Sequence, residues 1–536
     1  MRQDSATLGR WQPDANTENS HDAEGMARLL RKLDCPIFAL KTSTGASELA
    51  SGGSWSVAKD SRPVNAWVAP LLPSQLGEAA FRKKFGLQYA CVSGSMANAI
   101  ASEDLVCTMA EHGMMGFFGS AGLAPERVQA AIASLQHRLG ERTFGCNLIH
   151  SPHDPVLEDN VVDIYLERGV KLIEASAFMS LTLPLVRYRY AGITRRDDGS
   201  IFTPNSVMGK VSRLELAQKF LHPASAEMLS ALVERGHLTS EQAELAAQMP
   251  VGSEITAEAD SGGHTDNRPA ISLIPSIVAL RDAIEAERGY HVPVGAAGGI
   301  STPLSAAGAF AMGASYIMTG SVNQACVESG TCDHVRNVLA KAGPADCAMA
   351  PAADMFEMGV NVQVLKWGTM FPVKARKLYN WYRQYDSFAQ MPPAVITQIE
   401  RDYLRQSIEA SWEATKKFFA RRDPAQIAKA EADPKHLMAL VFRSYLGQAS
   451  RWANAGEPSR RPDYQIWCGP AMGAFNEWAK GSFLEEVSER RAATIALNLL
   501  HGAAFSLRVR QLQWQGAEIP AAASAYRPQR LEELLS

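Results

Sequence analysis

The chain has 536 residues, 53 Lys plus Arg against 56 Asp plus Glu, and a formal net charge of −3 at pH 7. That length allows two to four domains of roughly 150 residues each, and the near balance of charge lacks the clustered cations that nucleic acid demands. No run of roughly 18 uninterrupted apolar residues marks a membrane span, the opening lacks the pattern of a signal peptide, and the 8 cysteines, without a C-x-x-C pair, fit buried structural thiols in a reducing, cytoplasmic setting.

Residues 1–22 read as a loose polar tail and 23–84, rich in Pro, Ser and Trp, as a small mixed N-terminal module. From 85 to 372, short apolar runs alternate with helical patterns, which is the signature of a parallel α/β architecture. Eight runs are candidate strands: LQYACVSG (87–94), GMMGFFGS (113–120), TFGCNLIH (143–150), VKLIEASAF (170–178), SVMGKVSR (206–213), GSEITAEAD (252–260), HVPVGAAGG (291–299) and ASYIMTGS (314–321). That set predicts a TIM (β/α)8 barrel. An insertion at about 185–250 elaborates it: LVRYRYAGITRRDDGSIF reads as a hairpin turning at RRDDGS, and 213–249 as helices broken at Pro223 and capped at Thr239. From 373 to 536 long amphipathic patterns predict a mostly helical C-terminal domain, whose apolar faces also leave room for a homodimer.

In a TIM barrel the reactive groups lie at the C-terminal ends of the strands, with a phosphate commonly after the seventh and eighth. Here those ends carry Gly298 and Gly299, then Gly320 and Ser321, a cradle for a mononucleotide phosphate such as that of FMN. The absence of G-x-G-x-x-G with a following acidic residue argues against a Rossmann site. His264, after the sixth strand in ADSGGHTDNRP, stands at the same mouth as a candidate general acid or base, with Asp266 as a partner, a substrate contact or a turn cap. Lys210, a cation inside the apolar fifth strand, needs a partner: either it balances charge on a reduced flavin or it forms an ordinary ion pair. His150 closes the third strand as a possible substrate contact; with His153 it suggests a metal, but Pro152 breaks the helix that would align them and no third ligand is evident, so no metal site is assigned.

On the stretches SGGH (261–264), FGCN (144–147) and AAGGI…TGS (296–321), the barrel resembles the superfamily of nitronate monooxygenases and FMN-dependent enoyl reductases. Over nearly the whole length, LPSQLGEAAFRKKFG, GSMANAIAS, KVSRLELAQKFLHPA, ADSGGHTDNRP, APAADMFEMGVNVQVLKWGTMFP and DYQIWCGPAMGAFNEW resemble the PfaD family, enoyl reductases of polyunsaturated fatty acid synthases and trans-acyltransferase polyketide synthases. The resemblance implies bound FMN lined by Met96, Ala97, Asn147, Gly262 with Gly263, Gly299, Gly320 and Ser321, and His264 as the active-site histidine. It also implies NADPH as a transient hydride donor and an acyl carrier protein as the bearer of the enoyl thioester. Basic stretches at 373–386 (Lys374, Arg376, Lys377, Arg383) and 416–422 are candidate docking surfaces for an acidic carrier, or solvated helix faces. The rival readings are a nitronate monooxygenase with His264 as base, and a non-enzymatic scaffold that docks components of a synthase through its C-terminal helices.

Overall fold

The structure, a computed structural model, describes residues 8–42, 47–58, 60–151 and 155–535. Six short strands open it: β1 (Gly9–Gln12), β2 (Glu18–Ser20), β3 (Ile37–Lys41), β4 (Ser47–Ser51), β5 (Ser54–Ser56) and β6 (Arg62–Val68). They form one antiparallel sheet in the order β2-β4-β3-β6-β1-β5. Residues 9–20, expected as a loose tail, therefore supply two strands. Their sequence shows no apolar alternation because β1 buries only Trp11, which packs 6.1 Å from Phe38, while backbone pairing does the rest.

The next strands are β7 (Cys91–Ser93), β8 (Met115–Phe118), β9 (Gly145–Ile149), β10 (Leu172–Ser176), the small pair β11 (Thr194–Arg195) and β12 (Ile201–Phe202), β13 (Ser206–Val211), β14 (Glu254–Glu258), β15 (Gly263–His264), β16 (Val294–Ala297) and β17 (Ile317–Thr319). Eight of these close a barrel, β10-β13-β14-β16-β17-β7-β8-β9, with every pairing parallel. Each barrel strand lies inside one of the apolar runs named above, as strands buried on both faces should. Phe81, Met115, Phe117, Met208 and Tyr316 fill the lumen, with Phe81 stacked 4.3 Å from Tyr316. Phe81 belongs to the helix Ala79–Phe85, which plugs the end where the strands begin and pairs Lys84 with the fully buried Glu254.

The inserted segment differs from its sequence reading in one place. Leu183–Tyr190 is a helix, with Thr182 accepting from the Leu185 amide at 3.4 Å; only β11 and β12 pair around the RRDDGS turn. Its aromatic alternation mimics a strand, but Tyr188 and Tyr190 are buried with their hydroxyls donating to the carbonyls of Val170 (2.8 Å) and Met249 (2.7 Å). Helices follow at Leu214–Leu221, Ala226–Glu234 and Ser240–Ala246, the last with a capping box between Thr239 and Gln242.

After the barrel, β18 (Cys347–Pro351) and β19 (Asn361–Leu365) form a hairpin whose second strand also pairs with β15, making a three-stranded sheet over the barrel mouth. The helical segment expected from 373 onward divides between two cores. Helices from Phe371 to Ala455 pack with this hairpin around Phe356, Val364, Leu378 and Phe442. The helix Ala492–Trp514 instead joins the barrel core, lying on the helix Pro303–Ala311 so closely that a Cβ on Gly502 would meet Pro303 at 2.5 Å. Its Arg508 donates to the carbonyls of Ala69, Lys32 and Cys35, tying the N-terminal sheet to the barrel. This is the one described helix long and apolar enough to cross a membrane, and 89% of its apolar window is buried inside the structure.

Candidate active site

The C-terminal ends of the barrel strands open into a cavity of about 870 Å³, roofed by the β18–β19 hairpin and by the helices Ile408–Arg422 and Pro434–Ala455. Met96, Ala97, Asn147, His150, Lys210 and the segment Gly262–Asp266 all line it. The loop that carries Met96 and Ala97 holds Asn98 and Ala99 at φ 58° and 57°, and Ala177 after β10 sits at φ 59°. Such left-handed non-glycine residues cost on the order of 1–3 kcal/mol each and cluster at functional sites. The Met96 loop is locked from below by the Asn98 and Ala99 amides on the carbonyls of Ala121 and Gly119, and from above by Asn98 Nδ2 donating to Ser450 of the cap at 3.2 Å.

At the floor, Lys210 Nζ lies 3.0 Å from Glu174 Oε1 and 3.0 Å from Glu258 Oε1. Glu174, wholly buried, also accepts from the Ser95 amide (2.9 Å), Ser95 Oγ (3.0 Å) and Ser176 Oγ (3.3 Å), and Ser176 Oγ accepts from Asn147 Nδ2 at 3.0 Å. Burial disfavours the lysine cation, but the two carboxylates outweigh it and hold its pKa above the ordinary value. Lys210 is thus both an ion-paired residue and a wall of the cavity. Its charge is shared between the two carboxylates beside it. Glu174 and Glu258 escaped the sequence reading, although a carboxylate inside the apolar runs VKLIEASAF and GSEITAEAD carries the same signal that singled out Lys210.

His264 is held by an unexpected partner. Its Nε2 donates to Asp354 Oδ1 at 3.2 Å, from the loop between β18 and β19. Burial disfavours the imidazolium, yet Asp354, with Glu258 behind it, outweighs that and the repulsion of Lys210, so the pKa stands above the ordinary histidine value. Asp266 does not orient the ring. It accepts from Arg213 Nε (2.8 Å) and Nη2 (2.7 Å) and from Ser212, which draws its carboxyl down to about 2 and fastens the loop to the end of β13. Asn267 holds the loop as well, through Asp260 (2.8 Å) and Gln363 (3.3 Å). His150 stacks on Phe178 at 5.1 Å and meets Glu158 at 3.2 Å; its sequence partner His153 lies outside the described residues. No group of three or more His, Cys, Asp or Glu side chains among the described residues is placed to hold a metal ion.

The glycines divide by what surrounds them. A Cβ on Gly262 would meet the Cys468 backbone at 2.8–3.0 Å, and one on Gly298 the Ala259 carbonyl at 2.5 Å, so both are needed for chain-to-chain approach. Gly299, at φ 75°, and Gly320 have nothing within 4 Å of that position, and Ser301 Oγ nearby in sequence is buried without a partner. Open space at two adjacent strand ends, with an unsatisfied hydroxyl, fits an anionic group. Gly298, Gly299, Gly320 and Ser321 do not, however, line the large cavity, and Ser321 Oγ already accepts from the Gly469 amide at 3.3 Å.

A roofed cavity at the C-terminal end of a parallel barrel, with a histidine on a glycine-rich loop, defines the class, and the sequence pattern of the nitronate monooxygenase family matches residues 79–375. The chain belongs to that family. Within it the chain is PfaD-like, by its similarity to parts of polyunsaturated fatty acid and polyketide synthases and to an enoyl reductase domain. A polyunsaturated fatty acid synthase component of Thraustochytrium sp. (strain ATCC 26185 / S-3) is 47% identical over 90% of this chain and 32% of its own length. Polyketide biosynthesis protein PksE of Bacillus subtilis (strain 168) is 42% identical over 84% of this chain and 58% of its own. The crystal structure of the enoyl reductase domain of MlnA, from the macrolactin biosynthesis cluster of Bacillus amyloliquefaciens, superposes with a TM-score of 0.78 at 36% identity, covering 82% of this chain and 99% of that one. The chain spans 32% and 58% of the two curated relatives named here. Residues 385–464, the roof of the cavity, match the inserted helical domain of [acyl-carrier-protein] S-malonyltransferase.

Proposed function

We propose that this chain reduces the α,β-double bond of enoyl thioesters carried on acyl carrier protein, in polyketide or polyunsaturated fatty acid synthesis. FMN would be the bound hydride carrier and NADPH the transient donor. The observation that carries the reading is the cavity itself: a proton-bearing histidine with a carboxylate partner at the mouth of a barrel akin to an enoyl reductase domain, under a roof akin to that of a carrier-dependent acyltransferase.

Met96, Ala97, Asn147, Lys210, Gly262 and Gly263 of the cavity would hold the FMN, and the open space at Gly299 and Gly320, which lies outside the cavity lining beside the unpaired Ser301 hydroxyl, is where an anionic phosphate would be accepted. When bound, FMN supplies the hydride that reaches the β-carbon. The chain's own task is then to orient the thioester, exclude water and manage the proton. His264, whose imidazolium form its carboxylate neighbours favour, is the group placed to protonate the α-carbon or to stabilise the developing enolate oxygen. The roof contributes Phe418, Phe419 and Leu440, an apolar wall for the acyl chain.

Purified protein reduced anaerobically with NADPH should lose its yellow colour and regain it on addition of crotonyl thioester. His264→Ala should keep its flavin and its reduction by NADPH but turn over enoyl thioester about 10²–10⁴-fold more slowly. The family name favours a second reading, nitronate oxidation with His264 as base. Reoxidation by oxygen with a nitroalkane, and none by the enoyl thioester, would establish that reading in place of the first.

A further inference from the structure

His264 and Asp354 are 90 residues apart in sequence, and the architecture that joins them is specific. β15 pairs antiparallel with β19, His264 opposite Val362, so the glycine-rich loop that follows β14 sets the histidine into the small roofing sheet. Asp354 stands in the connection between β18 and β19, returning over that strand to the ring. The connection is itself clamped by the cap helix Pro434–Ala455: Arg443 Nε donates to the Ala353 carbonyl at 3.0 Å and Nη1 to Glu357 at 3.1 Å. The carboxylate is thus delivered by a hairpin fixed on one side by the barrel loop and on the other by the cap. The Asp354 side chain retains 45% exposure, at a position that lines the cavity.

We propose that Asp354 is the positioning residue of the site: by accepting from Nε2 it fixes the His264 ring and leaves Nδ1 as the atom that carries and delivers the proton. This rests on the reading of the site given above. A carboxylate only accepts, so Nε2 keeps its hydrogen in both charge states of the ring. Nδ1 makes no hydrogen bond among the described residues, and His264 lines the cavity. The step balances: bound flavin would supply the hydride that forms the β C–H bond, and the electron pair of the double bond takes the Nδ1 proton to form the α C–H bond. Neutral imidazole remains, still bonded through Nε2 to Asp354, and solvent returns the proton. Three charged groups face the ring: Asp354 and Glu258 favour the imidazolium, and Lys210 opposes it. Because the acid form does the work, activity falls as pH rises through the His264 pKa.

The test uses the full flavin-loaded chain with selectively ¹⁵N-labelled histidine, comparing native protein, Asp354→Asn and Asp354→Glu. The expected result is that Asp354→Asn lowers the His264 titration midpoint and moves the basic limb of the kcat profile to lower pH. It should cut kcat at pH 8 by at least ~10-fold with little change in KM, while reduction of the flavin by NADPH stays at the native rate. Asp354→Glu should restore much of both effects. An unchanged His264 midpoint in Asp354→Asn overturns the proposal. If the midpoint shifts as expected but native protein turns over no enoyl thioester, the positioning role stands and the functional reading is the one that fails.

Discussion

Replacing Lys210 by methionine tests the charge architecture of the cavity floor. The ammonium sits 3.0 Å from each of two carboxylates, its own side chain 13% exposed, with Glu174 wholly buried and Glu258 20% exposed. At 3.0 Å and an effective dielectric of ~20, each contact has a gross attraction of about 5 kcal/mol, most of it offset by desolvation. Deleting the shared cation leaves two carboxylates facing each other across its place, and breaking a buried pair costs about 3–5 kcal/mol. Urea denaturation should therefore show Lys210→Met less stable by that amount at pH 7.5. The double variant Glu174→Gln with Lys210→Met should recover on the order of 2 kcal/mol, since the amide keeps a partner for Ser95 and removes one charge. Equal stability of Lys210→Met and native protein at pH 7.5, or losses that simply add in the double variant, would refute the shared-cation arrangement.

Two further outcomes follow from the geometry. Gly262→Ala puts a methyl against the Cys468 backbone and should cost about 1–3 kcal/mol of stability, whereas Gly299→Ala, facing open space at positive φ, should cost about 1 kcal/mol and instead weaken flavin retention, read by fluorescence of the released cofactor; similar behaviour of the two variants would contradict that division. Charge reversal of the exposed Arg376 and Lys377 should raise KM for a carrier-bound enoyl substrate about 10-fold and spare small thioesters, with equal loss on both counting against docking there. Lys374 is excluded from that surface because it is turned inward onto the buried Asp463.

The barrel was legible because each strand lies in a short apolar run, six of the eight stopping at a glycine or serine, as parallel strands buried on both faces should. His264 was legible for the related reason that a glycine pair places it at a strand end. What escaped the sequence reading depends on contacts between distant segments. CAMAP (347–351) and NVQVL (361–365) are ordinary short runs in isolation, and nothing within them announces that NVQVL will pair with the histidine's own loop. Asp266, two residues from His264, was the natural candidate to orient it; Arg213, reaching over from the end of β13, takes that carboxylate bidentately and leaves the position to Asp354. The amphipathic helices after 373 were visible as helices, but periodicity reports only that a helix packs, not what it covers.

The barrel alone does not make this site. Glycine-for-glycine contact at Gly262 and Gly469, where a Cβ on the latter would meet the Gly262 amide at 2.9 Å, brings the chain after the cap back against the SGGH loop. Trp467 pairs with Val364 on the same β19 that holds His264. The histidine strand is thus bordered by β19, by the returning segment 467–469 and, through Asp354 and Arg443, by the cap. A barrel family whose pattern matches residues 79–375 is in this chain completed by residues 385–464 and the segment that follows them. The physical consequence is that the cap does more than roof the cavity: through Arg443 it holds the hairpin that carries Asp354, the hydrogen-bond partner of the His264 ring.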